Sequence, residues 1–144
     1  MRRNRTLRSI ALCAVVILWL AGCRGNGPNV VAIEGTVTHE GKPVPNLMIW
    51  FEPTSGRPSW GISDQQGKFR LDYDPEYDGA VVGMHKVWVL EDPALNDPTA
   101  MMGKTRPKRS PELEAVLAKY GSRDKSPLQV EVKRADRNFQ LKLD

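Results

Sequence analysis

From residue 31 onward, apolar and polar residues alternate in short runs separated by turn-forming residues. Val31, Ile33, Gly35 and Val37 form one set of the first run; Ala32, Glu34, Thr36 and Thr38 form the other. A period of two predicts a strand over residues 31–38 with one buried and one wet face. Gly41, Pro43, Pro45 and Asn46 mark a turn. In the second run Leu47, Ile49 and Phe51 are set inward, which leaves Met48 and Trp50 on the outside between Asn46 and Glu52. Two large apolar side chains there are unusual, because a solvated sheet face prefers Thr or charge. After a loop rich in Pro, Gly and Ser, Trp60 opens a third strand, and Asp64 to Gly67 read as a tight turn. A fourth strand over residues 68–73 buries Phe69 and Leu71 and exposes Lys68, Arg70 and Asp72. A fifth, over residues 84–90, buries Val87 and Val89, so that Lys86, Trp88 and Leu90 point outward.

Residues 91–127 are too many for a plain loop. Ser110, Pro111, Glu112 and Glu114 have the order of a cap, a first-turn proline and first-turn acids. Leu113, Val116, Leu117 and Tyr120 recur at helical spacing, and Gly121 stops the run. Residues 128–133 and 138–143 alternate on either side of a turn at 134–137, which predicts a closing hairpin. Leu128, Val130, Val132, Phe139, Leu141 and Leu143 form its inward set, and Phe51, Phe69, Val87 and Phe139 are expected in the core between two sheets. The pattern predicts an all-β, seven-stranded sandwich with one short helix between strands five and six, forming one domain over residues 31–144.

The order Gly41-Lys42-Pro43-Val44-Pro45-Asn46, a strand, then Ser63-Asp64-Gln65-Gln66-Gly67-Lys68-Phe69 resembles the carboxypeptidase regulatory-like domain, a transthyretin-like (Ig-like) sandwich of bacterial envelope proteins. Gly35, Val37, Leu47, Ile49 and Phe51 fit the same pattern, and Gly83-Met84-His85-Lys86-Val87-Trp88-Val89 is similar to a further strand of that family. The resemblance implies a helix between strands five and six, and it implies that the third, second and fifth strands are neighbours in that order. Trp60, Trp50 and Trp88 fall on those three strands. The related hydroxyisourate hydrolases use a Tyr-Arg-Gly-Ser tail. Here the matching stretch reads Leu141-Lys142-Leu143-Asp144, so that activity is not implied. Turn and strand motifs of this kind speak for fold and leave function open.

The start of the chain has a different pattern. Arg2, Arg3, Arg5 and Arg8 precede an unbroken apolar run over residues 10–20. A charged start followed by a short apolar stretch predicts a signal peptide over residues 1–22, and the run is too short to span a bilayer core, which takes about 20 residues. Leu20-Ala21-Gly22-Cys23 resembles the lipobox of bacterial lipoproteins. That resemblance implies a lipidated Cys23, a tether over residues 23–30 and a membrane attachment through acyl chains. Arg24 after the lipid site implies the outer membrane, periplasmic side, within the cell envelope. The chain has 21 basic and 17 acidic residues, and four of the basic ones are the signal arginines. The mature charge therefore balances, and the high isoelectric point is no argument for nucleic acid as a partner. Cys13 and Cys23 are the two cysteines, so the expected domain has no disulfide.

Candidate chemistry is sparse. His39 sits at a strand-to-turn junction and His85 in the fifth strand, and nothing in the pattern pairs either with a nucleophile or a metal-ligand spacing. The acids of residues 72–78 match no calcium-loop spacing and read as a solvated turn. The basic stretch at 104–109 reads as a solvated loop. No catalytic residue, metal or cofactor is expected. Met48, Trp50, Trp60 and Trp88 remain as a binding surface. Three roles compete for that strip: a cover for it from residues 91–127 through Leu95, Met101, Met102 and the helix, a dock for an envelope protein, or a stacking platform for a glycan. Covering is the expectation, since aromatic residues are mostly buried. The functional expectation is a lipid-anchored accessory or interaction domain without catalysis, with a carbohydrate-binding module as the alternative.

Overall fold

A computed structural model describes residues 27–99, 101–105 and 108–144. The expected signal peptide and Cys23 lie outside the described residues. Ten strands form, β1 (Val30–Val31), β2 (Ile33–His39), β3 (Lys42–Pro43), β4 (Leu47–Pro53), β5 (Ser59–Ile62), β6 (Lys68–Arg70), β7 (Ala80–Val81), β8 (Gly83–Glu91), β9 (Gln129–Val132) and β10 (Asp136–Lys142). Seven of them answer to the seven expected runs. The other three, β1, β3 and β7, are two-residue pairings too short to leave a period in the sequence.

Two four-stranded sheets carry the fold. In the first, β10 runs parallel to β2, while β3 and β6 pair antiparallel along the other edge of β2. In the second the order is β5-β4-β8-β9, antiparallel throughout. Strands β1 and β7 make a small separate pair. Ile33, Val37, Phe69 and Leu141 of the first sheet share one buried cluster with Leu47, Ile49, Phe51, Val87, Val89 and Val132 of the second. The Phe51 and Phe139 rings meet edge to face across the gap, centroids 5.9 Å apart. The alternation therefore does in space what it does in the sequence, placing one face of each sheet in a shared core.

The expected closing hairpin does not form. Strand β9 pairs with β8 in the second sheet, and β10 pairs with β2 in the first. Alternation says which side chains point inward but not from which sheet. Val132 and Leu141 enter the same core from opposite sides, and the turn between their strands crosses from one sheet to the other.

The one α-helix among the described residues, α1 (Pro111–Tyr120), is capped by Ser110, whose hydroxyl accepts from the Leu113 N–H, and stopped at Gly121. Its apolar residues Leu113, Val116 and Tyr120 join the core cluster. The Tyr120 hydroxyl donates to the main-chain oxygen of Asp144, Lys119 donates to the same oxygen at 2.5 Å, and Lys42 pairs with Glu112 at 3.0 Å. The approach to the helix is fixed by Arg109, which makes a two-pronged pair with the buried carboxylate of Glu91 at the end of β8. So α1 packs against β8 and the core, and its polar side reaches Asp144 and Lys42.

Candidate functional site

The outer face of the second sheet is set by register. Trp50 of β4 lies opposite Trp60 of β5 and Trp88 of β8, giving a cross-strand row Trp60–Trp50–Trp88. One pleat along, Met48 lies opposite Ile62 and Leu90, giving a second row Ile62–Met48–Leu90. Inward residues alternate with these along every strand: Leu47, Ile49 and Phe51 on β4, and Val87 and Val89 on β8. The same alternation that fills the core thus lifts six large apolar side chains onto the outside.

The Trp50 and Trp88 rings are nearly parallel, 5° apart, with centroids separated by 5.3 Å. Two indoles lying flat on the sheet could not come so close, so they overlap face to face and stand up from it. Both Nε1 atoms are buried and find no acceptor among the described residues, which leaves ring packing as what holds the pair. A flat platform of coplanar rings, the geometry that suits stacking on a sugar, is not what these two tryptophans form. Trp60 stands at the outer end of the row with 37% of its surface exposed. Its strand is held close to the neighbouring sheet. Main-chain bonds run both ways between Trp60 and Asp72, and a Cβ at Gly61 would overlap the carbonyl oxygen of Arg70.

Of residues 91–127, Arg123 and Asp124 reach onto this face beside the tryptophan row, at Glu52 and Lys86, and Met48, Trp50 and Trp88 are half-buried. Helix α1 turns its apolar side to the core, Leu95 and Met101 are half-buried, and Met102 is exposed. Ile62 and Leu90 keep 39% and 40% of their surface, so the apolar field is open at both ends of its second row. Helix α1 goes to the core because the core offers Leu113, Val116 and Tyr120 a burial that a flat outer sheet face cannot.

Beyond the tryptophan row the next register position is polar. Glu52 of β4 faces Lys86 of β8, which faces Gln129 of β9. Arg123, from the segment after α1, reaches over and grips Glu52 with Nε and Nη2, both at 2.6 Å. Lys86 donates to the Asp124 carbonyl at 3.4 Å. These residues, with Met84 and Thr54, line a cleft of about 320 Å³. The hydrogen bonds from Arg123 hold the Glu52 carboxyl below the usual glutamate range; burial opposes this, and the charges of Arg123 and Lys86 add to it. The sequence barely marks this cleft, because its residues come from four separate segments. The unbalanced Glu52 after an apolar strand was its sole trace.

The two histidines are engaged with main-chain oxygens. His39 Nδ1 bonds the Leu143 carbonyl, and the buried His85 donates from Nε2 to the Val81 carbonyl at 2.7 Å. The acidic stretch is built as a turn, with Asp74 accepting from the N–H groups of Glu76 and Tyr77. Asp64 does the same for Gln66 and Lys68. Among the described residues no group of three or more His, Cys, Asp or Glu is placed to hold a metal ion, and no helix is long and apolar enough to cross a membrane. Neither a family model, nor a curated protein, nor a solved structure matches the chain.

Proposed function

We propose that this protein is a lipid-anchored, non-catalytic interaction domain of the bacterial cell envelope. It is tethered through Cys23 on the periplasmic side of the outer membrane and docks an envelope protein on the outer face of its second sheet. The observation that carries the reading is the pair of apolar rows Trp60–Trp50–Trp88 and Ile62–Met48–Leu90, of which Trp60, Ile62 and Leu90 are exposed. Exposed contiguous apolar surface on a folded domain marks contact. The field is two strand spacings wide, about 10 Å, and two residues deep, about 7 Å. That is the footprint of one amphipathic segment, well short of the roughly 800 Å² per partner of a standard interface. Upright indole edges suit insertion between the side chains of such a segment, and Trp is enriched where binding energy concentrates.

Two further features support the reading. The neighbour order β5-β4-β8 and the helix between β8 and β9 are what the resemblance to carboxypeptidase regulatory-like domains implies, and they support that part of the reading. His39 Nδ1 and His85 Nε2 each bond a main-chain carbonyl, and neither is joined to a nucleophile or a carboxylate among the described residues.

The anchor is tested by the intact mass of protein taken from the membrane fraction. The expected species begins at Cys23 and carries acyl chains; a free Cys23 thiol or retained residues 1–22 would refute the anchor. The docking face is tested by photo-crosslinking in cells from positions Ile62 and Leu90, with Lys142 on the first sheet as the control. The expected result is one envelope protein captured from 62 and 90, not from 142, and lost in Trp60→Ala. Equal capture from both sheets would remove the face from the proposal.

A further inference from the structure

The polar cleft beside the tryptophan row goes beyond the docking reading and does not depend on it. We propose that this cleft is a binding site for a neutral polyhydroxy ligand, of the class of a single sugar ring or short glycan end. The argument starts from what the side chains still offer. Arg123 uses Nε and Nη2 on Glu52 and so retains three of its five N–H donors. Glu52 accepts two of the roughly four hydrogen bonds a carboxylate can take. Lys86 spends one donor on the Asp124 carbonyl. The amide of Gln129, directly across the ladder from Lys86, brings a donor and an acceptor that no side chain among the described residues engages.

This is a mixed array of donors and acceptors on a fixed floor. Glu52 and Lys86 are strand residues, and the Glu52–Arg123 pair pins the 121–127 segment above them. Hydroxyl groups, each both donor and acceptor, match such an array where a purely anionic or purely cationic ligand does not. A phosphate would have to compete with Glu52 for Arg123 and would face its carboxylate. A cation would face Lys86 and Arg123. The lining sets Glu52 against Lys86 and Arg123, and from outside it the exposed carboxylate of Asp124 lies 4.0 Å from Arg123 Nη1. Met84, 45% exposed, supplies an apolar wall for the C–H face of a ring. The volume of about 320 Å³ lies at the small end of ligand pockets.

The test is a titration of the mature chain with glucose, N-acetylglucosamine and its β-1,4-linked disaccharide, with inorganic phosphate as the charged comparison. Trp50 and Trp88, each two residues from a cleft residue on its own strand, report by fluorescence, and amide shifts at Lys86 and Gln129 report directly. The expected result is saturable binding of at least one sugar, weakened roughly tenfold in Arg123→Ala and in Gln129→Ala. Both substitutions are at exposed positions, and an unchanged denaturation midpoint for Gln129→Ala guards against misfolding as the cause. Saturable binding of phosphate alone overturns the proposal. So does sugar binding that survives both substitutions, or no saturable response to any of these sugars. None of these outcomes bears on Cys23 or on crosslinking from Ile62, so this site and the docking face stand or fall separately.

Discussion

The stacked indoles allow a double-mutant cycle whose outcome follows from geometry. In Trp88→Ala the stack with Trp50 is lost together with a half-buried side chain. An aromatic pair contributes about 0.5–1.5 kcal/mol beyond its burial. Removing roughly 80 Å² of buried apolar surface at about 25 cal/mol per Å² adds about 2 kcal/mol. Trp88→Ala should therefore cost about 3 kcal/mol, and Trp50→Ala about the same. The double variant should cost about 1 kcal/mol less than the sum of the two, since the second substitution removes no stack. Trp60 and Trp88 flank Trp50 on opposite sides, about 10 Å apart by strand spacing. Their effects should be additive within about 0.5 kcal/mol. Trp60→Ala, at a position already more than one-third exposed, should cost about 1 kcal/mol. Urea denaturation followed by far-ultraviolet circular dichroism measures all of these without using the tryptophans as reporters. A Trp50/Trp88 coupling near zero would mean that the rings do not stack in solution. A Trp60→Ala as costly as Trp88→Ala would mean that Trp60 is covered and the face closed.

Further outcomes are expected elsewhere in the molecule. Phe51→Ala, fully buried and in ring contact with Phe139 and His85, should cost about 3–5 kcal/mol by chemical denaturation. Gly61→Ala should destabilise far beyond a surface substitution, because its Cβ would overlap backbone at Arg70; a denaturation midpoint within error of wild type would show that β5 and β6 are further apart. Glu52 is held below its ordinary value in the folded protein, so it contributes stability that is present above the unfolded value of 4.5 and is lost as pH falls through the lower folded value. The stability gap between wild type and Glu52→Gln should accordingly narrow as pH drops below 4.5, and a gap that widens with acid would contradict the Arg123 pair.

What could be read from the sequence was what period two encodes. Val37, Phe69, Val132 and Leu141 declare their face because polar residues flank them, whereas Ile49 and Val89 lie between apolar neighbours, and their phase and the pairing of β4 with β8 were implied by the family resemblance. Tertiary choices left no such mark. The alternation of residues 128–143 is equally consistent with a hairpin and with two strands in different sheets, and the core closes only in the second arrangement. The spacing of Leu113, Val116 and Tyr120 announces an apolar helix face without saying whether the tryptophan strip or the open core will receive it. The cleft was illegible for a simpler reason. Glu52 and Arg123 are 71 residues apart, and a charge on an outward strand position looks the same whether it is solvated or gripped.

The parallel pairing of β2 and β10 has a mechanical consequence. Partners run from Gly35 with Phe139 to Thr38 with Lys142, so the two strands lie side by side in the same direction. If the chain is held at the membrane by the residues ahead of β2 and drawn outward from the far end of β10, the two strands are pulled in opposite senses along their common axis. Their ladder is then loaded in shear, with several hydrogen bonds bearing force at once, whereas an antiparallel hairpin opened from its free ends would unzip one bond at a time. A sandwich clasped in this way would resist extension along the line joining its anchor to its last strand while remaining ordinary in its resistance to heat or urea, so that force and denaturant would rank its variants differently.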